Sequence, residues 1–211
     1  MRYYPIYLDL RRRRCLVIGG GVVAERKVAG LIESEADVTV ISPSLTAQLA
    51  RWVKKGRIDH IGRSYVSGDL AGYELAFVAT DDTRVNTAVF REGKRRGLWI
   101  NSSDDPAHCD FILPSVLRRG ELTIAVSTGG ASPALSRAVR EELETYLPHD
   151  YAALSKVVAT VRKELRQRSV APSSDAWREA LNGELRDLIQ RGELRRAKSY
   201  LLQQLGDKSC A

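Results

Sequence analysis

The chain has 211 residues, of which 44% are hydrophobic and 28% charged, a balance that is ordinary for a globular protein and excludes a disordered chain. Its 33 basic and 26 acidic residues leave a net charge of +7, which suggests an anionic partner. The basic residues occur in short, dispersed clusters with little aromatic interleaving. A solvated surface or a small polycarboxylate or polyphosphate ligand explains them better than nucleic acid.

Targeting and redox features are sparse in this sequence. No apolar run approaches the roughly 20 residues that a membrane-spanning helix needs, and the apolar stretch after Arg11–Arg14 covers only residues 15–18. The three cysteines, Cys15, Cys109 and Cys210, form no CxxC pair, which indicates neither a disulfide framework nor a structural zinc site. We therefore expect a cytoplasmic protein with no membrane partner.

The first element carries the clearest motif. Cys15–Ile18 reads as a buried parallel strand and Val22–Ser34 as an amphipathic helix, with the glycine-rich turn G-x-G-x-x-A between them. In this strand-to-helix context the first glycine allows a tight turn, Gly21 lets the backbone approach a pyrophosphate, and Ala24 permits close helix packing. The helix N-terminus then faces the anion with unpaired N–H groups. The predicted dinucleotide-binding residues of this turn are Gly19, Gly20, Gly21, Val22 and Val23. The alternative is a glycine turn that binds no nucleotide.

The second strand, Asp37–Ile41, bears on the choice of cofactor. Ser42 stands where a carboxylate would accept a hydrogen bond from the adenosine ribose, and Pro43 follows it. Neither residue is an arginine suited to a 2′-phosphate. We predict NAD rather than NADP, with Ser42 and Pro43 beside the cofactor.

Further helices and strands alternate between residues 45 and 101. Helices are predicted near 45–55 and 84–96, and strands near 57–61, 75–79 and 99–101. This alternation predicts a Rossmann-type doubly wound parallel sheet of the α/β class. Thr80 and Asp81 come directly after a predicted strand, where ligands bind in open α/β sheets. Capping of the next helix is an equal alternative for them, and it is compatible with a contact with the cofactor.

The pattern changes after residue 101. Phe111–Leu117 and Leu122–Ser127 are apolar runs separated by a turn, which predicts an antiparallel hairpin, and Ser132-Pro133 predicts the start of a helix to Tyr146. Because two strands alone are marginally stable, we expect this hairpin to pair or pack in a homodimer. Apolar stripes at helical spacing then predict core-forming helices, through residues 154, 157, 158, 161 and 165 and through 177, 181, 185, 188 and 189.

Five segments in order carry a family resemblance: "YYPIYLDL", "CLVIGGGVVAERK", "FVATDD", "NSSDDPAHCDFILPS" and "IAVSTGGASPALSR". Together they resemble the precorrin-2 dehydrogenase family of siroheme biosynthesis, whose fold is also found in siroheme synthases. The resemblance implies an NAD-binding domain at 1–110, a small α+β dimerisation region at 111–148 and a C-terminal helical domain at 149–211. It also implies a tetrapyrrole substrate, precorrin-2, and the product sirohydrochlorin. Some relatives act as ferrochelatases as well, so Fe(II) insertion is left open.

The resemblance further assigns site residues. Asp104 corresponds to the family's active-site aspartate and is the predicted catalytic residue, with adjacent Asp105 the weaker candidate. The residues assigned to substrate binding are Asn101, Ser127, Thr128 and Gly129, for which simple turn formation is the rival explanation at 127–129. His108 and Cys109 lack the spacing of a structural metal site, so no metal-binding residue is predicted.

Two other functions are compatible with the sequence. A regulatory module that senses NAD(H) without turnover would share the glycine turn, and a basic nucleic-acid-binding protein would show affinity that collapses with salt. Turnover and salt dependence separate these alternatives from a dehydrogenase.

Overall fold

The computed structural model describes residues 3–103 and 108–206. The chain divides into two compact units, residues 1–113 and 114–211. The three-part division of the chain inferred from the resemblance stays a prediction.

Unit 1 is built on a five-stranded parallel sheet in the order β3-β2-β1-β4-β5. Its strands are β1 (Arg14–Ile18), β2 (Asp37–Ile41), β3 (Asp59–Ile61), β4 (Leu75–Val78) and β5 (Trp99–Ser102). Residues 15–18 and 75–78 are buried throughout, as expected for central strands of a parallel sheet that is covered on both faces. The strand order reverses between β1 and β4, and ligands bind beyond the carboxyl ends of strands at such a point.

Helices cover both faces of this sheet. They are α1 (Val22–Glu33), α2 (Ala47–Lys54) and α3 (Thr83–Arg96). Val28 of α1 and Leu49 of α2 pack in one apolar cluster with Val17 and Val40. Alternate strand residues point to the other face, where Val89 of α3 belongs to a separate cluster. The predicted doubly wound α/β fold is confirmed.

The connection between β3 and β4 is anchored on α3. The Glu92 carboxylate is buried within α3 and accepts hydrogen bonds from the Gly68 amide at 2.7 Å and from Arg96 Nε at 2.7 Å. The Tyr65 hydroxyl donates to the same carboxylate. These contacts explain why a connection without helix or strand stays attached to the sheet.

Unit 2 begins with an antiparallel hairpin of β6 (Ser115–Arg119) and β7 (Leu122–Val126). Gly120 in the two-residue turn has φ +60°, which suits glycine. The predicted first strand, Phe111–Leu117, starts four residues too early. Phe111 instead packs edge-to-face on Phe77, with ring centroids 5.6 Å apart, and so belongs to unit 1.

Helices make up the rest of unit 2. They are α4 (Pro133–Tyr146), α5 (Tyr151–Gln167), α6 (Ser174–Ala180), α7 (Gly183–Gln190) and α8 (Leu194–Gly206). The helices after α4 share a core that includes the predicted positions Val157, Val161, Leu165, Leu185 and Leu188. Leu181 was also expected there but is 42% exposed, since the chain turns at that residue between α6 and α7. None of the helices within residues 3–103 and 108–206 has the length and apolar character needed to cross a bilayer.

Candidate functional site: a dinucleotide-binding turn

The turn after β1 is closely packed at its first two glycines. Gly19 has φ +118°, and a Cβ atom at this position would lie 2.1 Å from the Ala79 carbonyl oxygen. A Cβ atom on Gly20 would lie 1.9 Å from the Ser44 carbonyl oxygen. Both contacts are with backbone atoms that have little freedom to move. Glycine is therefore required at both positions for the loops after β1, β2 and β4 to approach one another.

The third glycine opens on free space. A Cβ atom on Gly21 would meet no described heavy atom within 4 Å, and its φ of −83° is ordinary. Gly21 is the N-cap of α1, and no side chain of the described residues bonds the first amides of this helix. Val22 and Val23 are 67% and 37% exposed. Unpaired N–H groups at a helix N-terminus, with room for a ligand beside them, suit a pyrophosphate.

The acidic residue in the first turn of α1 is bonded within the protein. Thr46 Oγ1 donates to Glu25 Oε2 at 2.6 Å and accepts from the Leu49 amide at 3.2 Å as N-cap of α2. The Thr46 amide also donates to the Gly20 carbonyl at 3.0 Å. These bonds join the N-termini of α1 and α2. Neither Glu25 nor Thr46 was predicted from the sequence, although a threonine three residues before a helical leucine is a signal for the cap.

Ser42, which follows β2, packs against Gly20 of the glycine turn. Ser42 is 6% exposed, and its hydroxyl lies 2.7 Å from the position of a Cβ atom on Gly20. The Ser42 carbonyl is 2.9 Å from His60 Nε2, a contact that ties β2 to β3. Pro43 is exposed. The predicted contacts of Ser42 and Pro43 with the cofactor stay predictions, and the structure adds a supporting position for Ser42.

Beyond the end of β4, Asp82 is the N-cap of α3. Its Oδ1 accepts from the amide of Arg84 at 2.9 Å, and the bonds from the first amides of α3 hold the pKa of this carboxyl below its ordinary value. Asp81 is exposed, whereas Thr80 Oγ1 accepts from the Asp82 amide at 3.2 Å. Asp82, rather than Thr80 or Asp81, therefore caps α3. The contact of Thr80 and Asp81 with the cofactor stays a prediction.

Asn86 is a further polar residue at this end of the sheet. Its Nδ2 donates to the Thr80 carbonyl at 3.1 Å, while its Oδ1 is buried and has no hydrogen-bond partner among the described residues. The bond to a backbone carbonyl fixes which side of the amide faces Thr80. Asn86 could not be predicted from the sequence, because an asparagine in a helical pattern carries no local signal of this contact.

The segment after β5 includes the predicted catalytic residue. Asp104 lies outside the described residues, as does Asp105. Asn101, assigned above to substrate binding, is 6% exposed and has partners for both halves of its amide: Oδ1 accepts from Lys27 Nζ at 2.7 Å, and Nδ2 donates to the Phe111 carbonyl at 2.9 Å. The structure thus gives Asn101 an internal role, and a contact with substrate stays a prediction.

The polar turn of unit 2 is bonded to itself. Thr128 Oγ1 accepts from the Ser132 amide at 2.9 Å and lies 3.2 Å from Ser136 Oγ. The Gly129 amide donates to Ser127 Oγ at 3.1 Å, and Gly129 has φ +65°. Turn formation therefore accounts for Thr128, while Ser127 and Gly129 are exposed. Their contact with substrate stays a prediction.

His108 and Cys109, for which no metal site was predicted, both contact other parts of unit 1. The His108 ring packs on Phe90, with centroids 4.3 Å apart, and Cys109 Sγ bonds to the backbone of Ser102. Burial raises the pKa of the Cys15 thiol to about 11, which makes this cysteine inert. Within residues 3–103 and 108–206, no group of three His, Cys, Asp or Glu side chains is arranged to hold a metal ion.

The fold and the open helix N-terminus define unit 1 as a nucleotide-binding domain of the Rossmann type. Residues 6–115 match the family model described as "Putative NAD(P)-binding", and residues 119–146 match "Sirohaem biosynthesis protein central". The first match covers more than half of the chain. The chain belongs to this NAD(P)-binding family, and the second match links it to siroheme biosynthesis. The two matches confirm the resemblance and the predicted nicotinamide dinucleotide cofactor.

Individual relatives agree with this membership. The chain is 39% identical to the siroheme synthase of Nitrosococcus oceani over 95% of its length and 37% identical to that of Methylobacillus flagellatus over 99%. It spans 43% and 45% of those two proteins, which is less than half of each. A solved structure of SirC, a precorrin-2 dehydrogenase, matches 94% of this chain and all of that chain, with a TM-score of 0.77 and 27% identity.

Proposed function

We propose that this protein is an NAD-dependent precorrin-2 dehydrogenase that produces sirohydrochlorin for siroheme biosynthesis, acting in the cytoplasm as a homodimer. One observation carries the proposal. The chain matches the precorrin-2 dehydrogenase SirC over the full length of that protein, and the match includes both compact units rather than the nucleotide-binding domain alone.

The residues at the carboxyl ends of β1, β2 and β4 suit the cofactor. The amides at the start of α1, beside the open space at Gly21, would hold its pyrophosphate, with Ser42, Pro43, Thr80 and Asp81 around the remainder. When bound, NAD supplies the acceptor for the hydride that leaves the substrate.

The proposed preference for NAD over NADP rests on which basic residues follow β2 and β3, where a 2′-phosphate would need a partner. Residues 42–46 contain no arginine or lysine. Arg63, which follows β3, donates two hydrogen bonds of 2.7 Å each to the carboxylate of Asp69. An arginine engaged in this way is a poor partner for a 2′-phosphate, which NADP carries and NAD lacks.

Asp104 is proposed to remove the proton. Dehydrogenation of precorrin-2 releases one hydride and one proton, so a base is needed beside the substrate. Asp104 matches the family's active-site aspartate by sequence. Ser127, Thr128, Gly129 and Asn101 are the proposed substrate-binding residues. The net charge of +7 favours encounter with a tetrapyrrole that carries eight carboxylates.

The exposed apolar surface of unit 2 supports the homodimer. In α4, which is described throughout, Ser136 is the one buried residue. Leu135 and Tyr146 of this helix are 54% and 68% exposed, and Val116 of β6 is 39% exposed. A two-stranded hairpin and a helix with so little burial gain stability by packing against a second copy.

Fe(II) insertion into sirohydrochlorin is proposed as a second activity, with Fe(II) as a substrate. Its support is the name of the relatives, since siroheme synthases produce an iron-containing tetrapyrrole. The chain spans less than half of those proteins, so this activity needs its own assay.

The test is an anaerobic incubation of the protein with precorrin-2 and NAD. We expect NADH and sirohydrochlorin to form in equal amounts in wild type, and formation of both to be lost in Asp104→Ala. Asp105→Ala is the matched control and should retain activity. Fe(II) is then added, and the tetrapyrrole spectrum is compared with that of a sample without protein. Tight NAD binding without turnover would instead identify a sensor of NAD(H).

A further inference from the structure

Arg63, which follows β3, lies beside the end of β2. The Ile61 carbonyl accepts hydrogen bonds from two amides, that of Ser42 at 3.2 Å and that of Arg63 at 2.8 Å. Since both amide nitrogens are bonded to one oxygen, they are no more than about 6 Å apart. Ser42 occupies the position at which Rossmann-type domains bind the adenosine ribose of the cofactor. Because an arginine carries its guanidinium on a stem of three methylene groups, Arg63 is long enough to extend to this position.

Ser42 itself does not exclude a 2′-phosphate. A carboxylate at this position would repel the phosphate of NADP, whereas serine carries no charge. Ser42 is also 6% exposed, with its hydroxyl 2.7 Å from the position of a Cβ atom on Gly20. The proposed preference for NAD therefore needs another residue near the end of β2.

The Arg63 guanidinium is bound by Asp69. Its Nη1 and Nη2 donate to the two oxygens of the Asp69 carboxylate, both at 2.7 Å, and Nη1 also donates to the Ser64 carbonyl at 3.0 Å. The Asp69 side chain is 11% exposed and accepts a further bond from the Val66 amide at 2.9 Å. The bonds from Arg63 and Val66 hold the pKa of the Asp69 carboxyl below its ordinary value, so the pair is ionised at neutral pH. Bidentate pairing with a carboxylate uses the same guanidinium geometry that binds a phosphate.

The connection between β3 and β4 does not depend on this ion pair for its place. The buried Glu92 carboxylate of α3 anchors it, because it accepts from the Gly68 amide at 2.7 Å and from the Tyr65 hydroxyl. Tyr65 follows Arg63 by two residues, and Gly68 directly precedes Asp69. The Arg63 side chain is 44% exposed, and ion pairs of such residues contribute little to stability. Loss of the pair therefore frees Arg63 without releasing the connection.

We propose that Asp69 determines the selection of NAD over NADP, by binding the Arg63 guanidinium that would otherwise bind the 2′-phosphate. The 2′-hydroxyl of NAD needs no cation, so the ion pair does not oppose the binding of NAD. The 2′-phosphate of NADP would instead meet an arginine whose charge is already balanced by a carboxylate, and selectivity follows from that difference. The inference deepens the proposed function, because it names the residue behind the proposed preference for NAD.

The test is calorimetric titration of the full-length protein with NAD and with NADP, which requires no turnover. We expect wild type to bind NAD at least about tenfold more tightly than NADP. In Asp69→Asn the side chain keeps an acceptor for the Val66 amide, but it loses its charge and one of its two acceptors for Arg63. Kd for NADP should then fall at least about tenfold, while Kd for NAD changes less than about threefold and so shows that the variant is folded. Asp69→Ser is a second variant with the same expected result.

Two controls separate the release of Arg63 from a general change in charge. Asp59→Asn removes a negative charge from an exposed position at the amino end of β3, away from the carboxyl ends of the strands, and should leave both Kd values close to wild type. Addition of Arg63→Met to Asp69→Asn should abolish the gain in affinity for NADP. This double-mutant cycle assigns the gain to Arg63.

The outcomes separate the two proposals. If wild type binds NADP as tightly as NAD, the proposed preference and the role of Asp69 are both wrong. If wild type prefers NAD but Asp69→Asn gains no affinity for NADP, or gains it equally without Arg63, the preference stands and the role of Asp69 is wrong. Absence of dehydrogenase turnover would contradict the proposed function, whereas the titrations would still decide the role of Asp69.

Discussion

Two glycine-containing turns of this protein look alike in sequence but differ at the helix that follows them. In one, a side chain caps the first amides of the helix, and in the other these amides are uncapped by the described residues. The turn at 19–21 joins β1 to α1, and the turn at 127–132 joins β7 to α4; both contain glycines with positive φ. In the second turn, Ser132 Oγ accepts from the Leu135 amide, so the protein's own hydroxyl occupies the N-terminus of α4. No side chain within residues 3–103 and 108–206 caps the N-terminus of α1 in this way. Open amides, rather than glycine content, distinguish a ligand-binding turn.

The largest expected effect is at the most crowded glycine. Gly19→Ala adds a Cβ atom 2.1 Å from the Ala79 carbonyl oxygen at φ +118°. We expect the free energy of unfolding to fall by about 2–4 kcal/mol, with loss of NAD binding because the turn is displaced. Chemical denaturation and calorimetric titration with NAD measure the two effects. A variant with wild-type stability would contradict the packing described here.

Gly21→Ala is the matched change at the open position. No described atom lies near the added Cβ and φ is −83°, so we expect the unfolding free energy to stay within about 0.5 kcal/mol of wild type. The methyl group does enter the space proposed for the pyrophosphate. Kd for NAD should rise about tenfold or more, measured by calorimetric titration. Unchanged affinity would show that the ligand does not approach Gly21.

Ser132→Ala tests the turn in unit 2. Removal of the hydroxyl leaves the Leu135 amide without its cap, so we expect a loss of about 1 kcal/mol in unfolding free energy. Kd for NAD should not change. The control is Ser127→Ala at an exposed position of the same turn. An increase in Kd for NAD after Ser132→Ala would indicate that this turn also takes part in binding the dinucleotide.

The smallest expected effect concerns a third helix N-terminus, that of α3, where a carboxylate of the chain occupies the cap. Bonds from the α3 amides lower the pKa of Asp82 below its ordinary value of 3.8, so its stabilising contribution is present above that value. The contribution is lost as the pH falls below 3.8 through the folded-state pKa. We expect the stability difference between wild type and Asp82→Asn to narrow over this range, as measured by denaturation at several pH values. A constant difference would argue against an ionised cap.

Local patterns predicted much of unit 1. The run Cys15–Ile18 followed by three glycines fixed the first strand, the turn and the start of α1 within a few residues, because strand burial and helix initiation depend on neighbouring residues. The parallel sheet followed from the alternation of elements. The motif also predicted the glycine turn of the site. The close approach of Gly19 to Ala79 and of Gly20 to Ser44 could not be predicted, because it depends on how the strands are placed in the folded chain.

Contacts between distant residues could not be predicted in this way. Lys27 and Asn101 are 74 residues apart, and Glu25 and Thr46 are 21 apart; no periodicity in one sequence pairs them. The late start of β6 has the same cause, since Phe111 packs on Phe77 of β4 within unit 1. Asn101 illustrates the consequence for function, because a residue that matches a family motif can be used internally.

The most direct test of the account is a crystal structure of the protein bound to NAD. We expect the pyrophosphate oxygens to accept hydrogen bonds from the backbone amides at the start of α1, with the phosphate group beside Gly21. The turn at 127–132 should keep its internal hydrogen bonds and make no contact with the pyrophosphate. A pyrophosphate bound elsewhere, with the α1 N-terminus facing only solvent, would contradict the central claim.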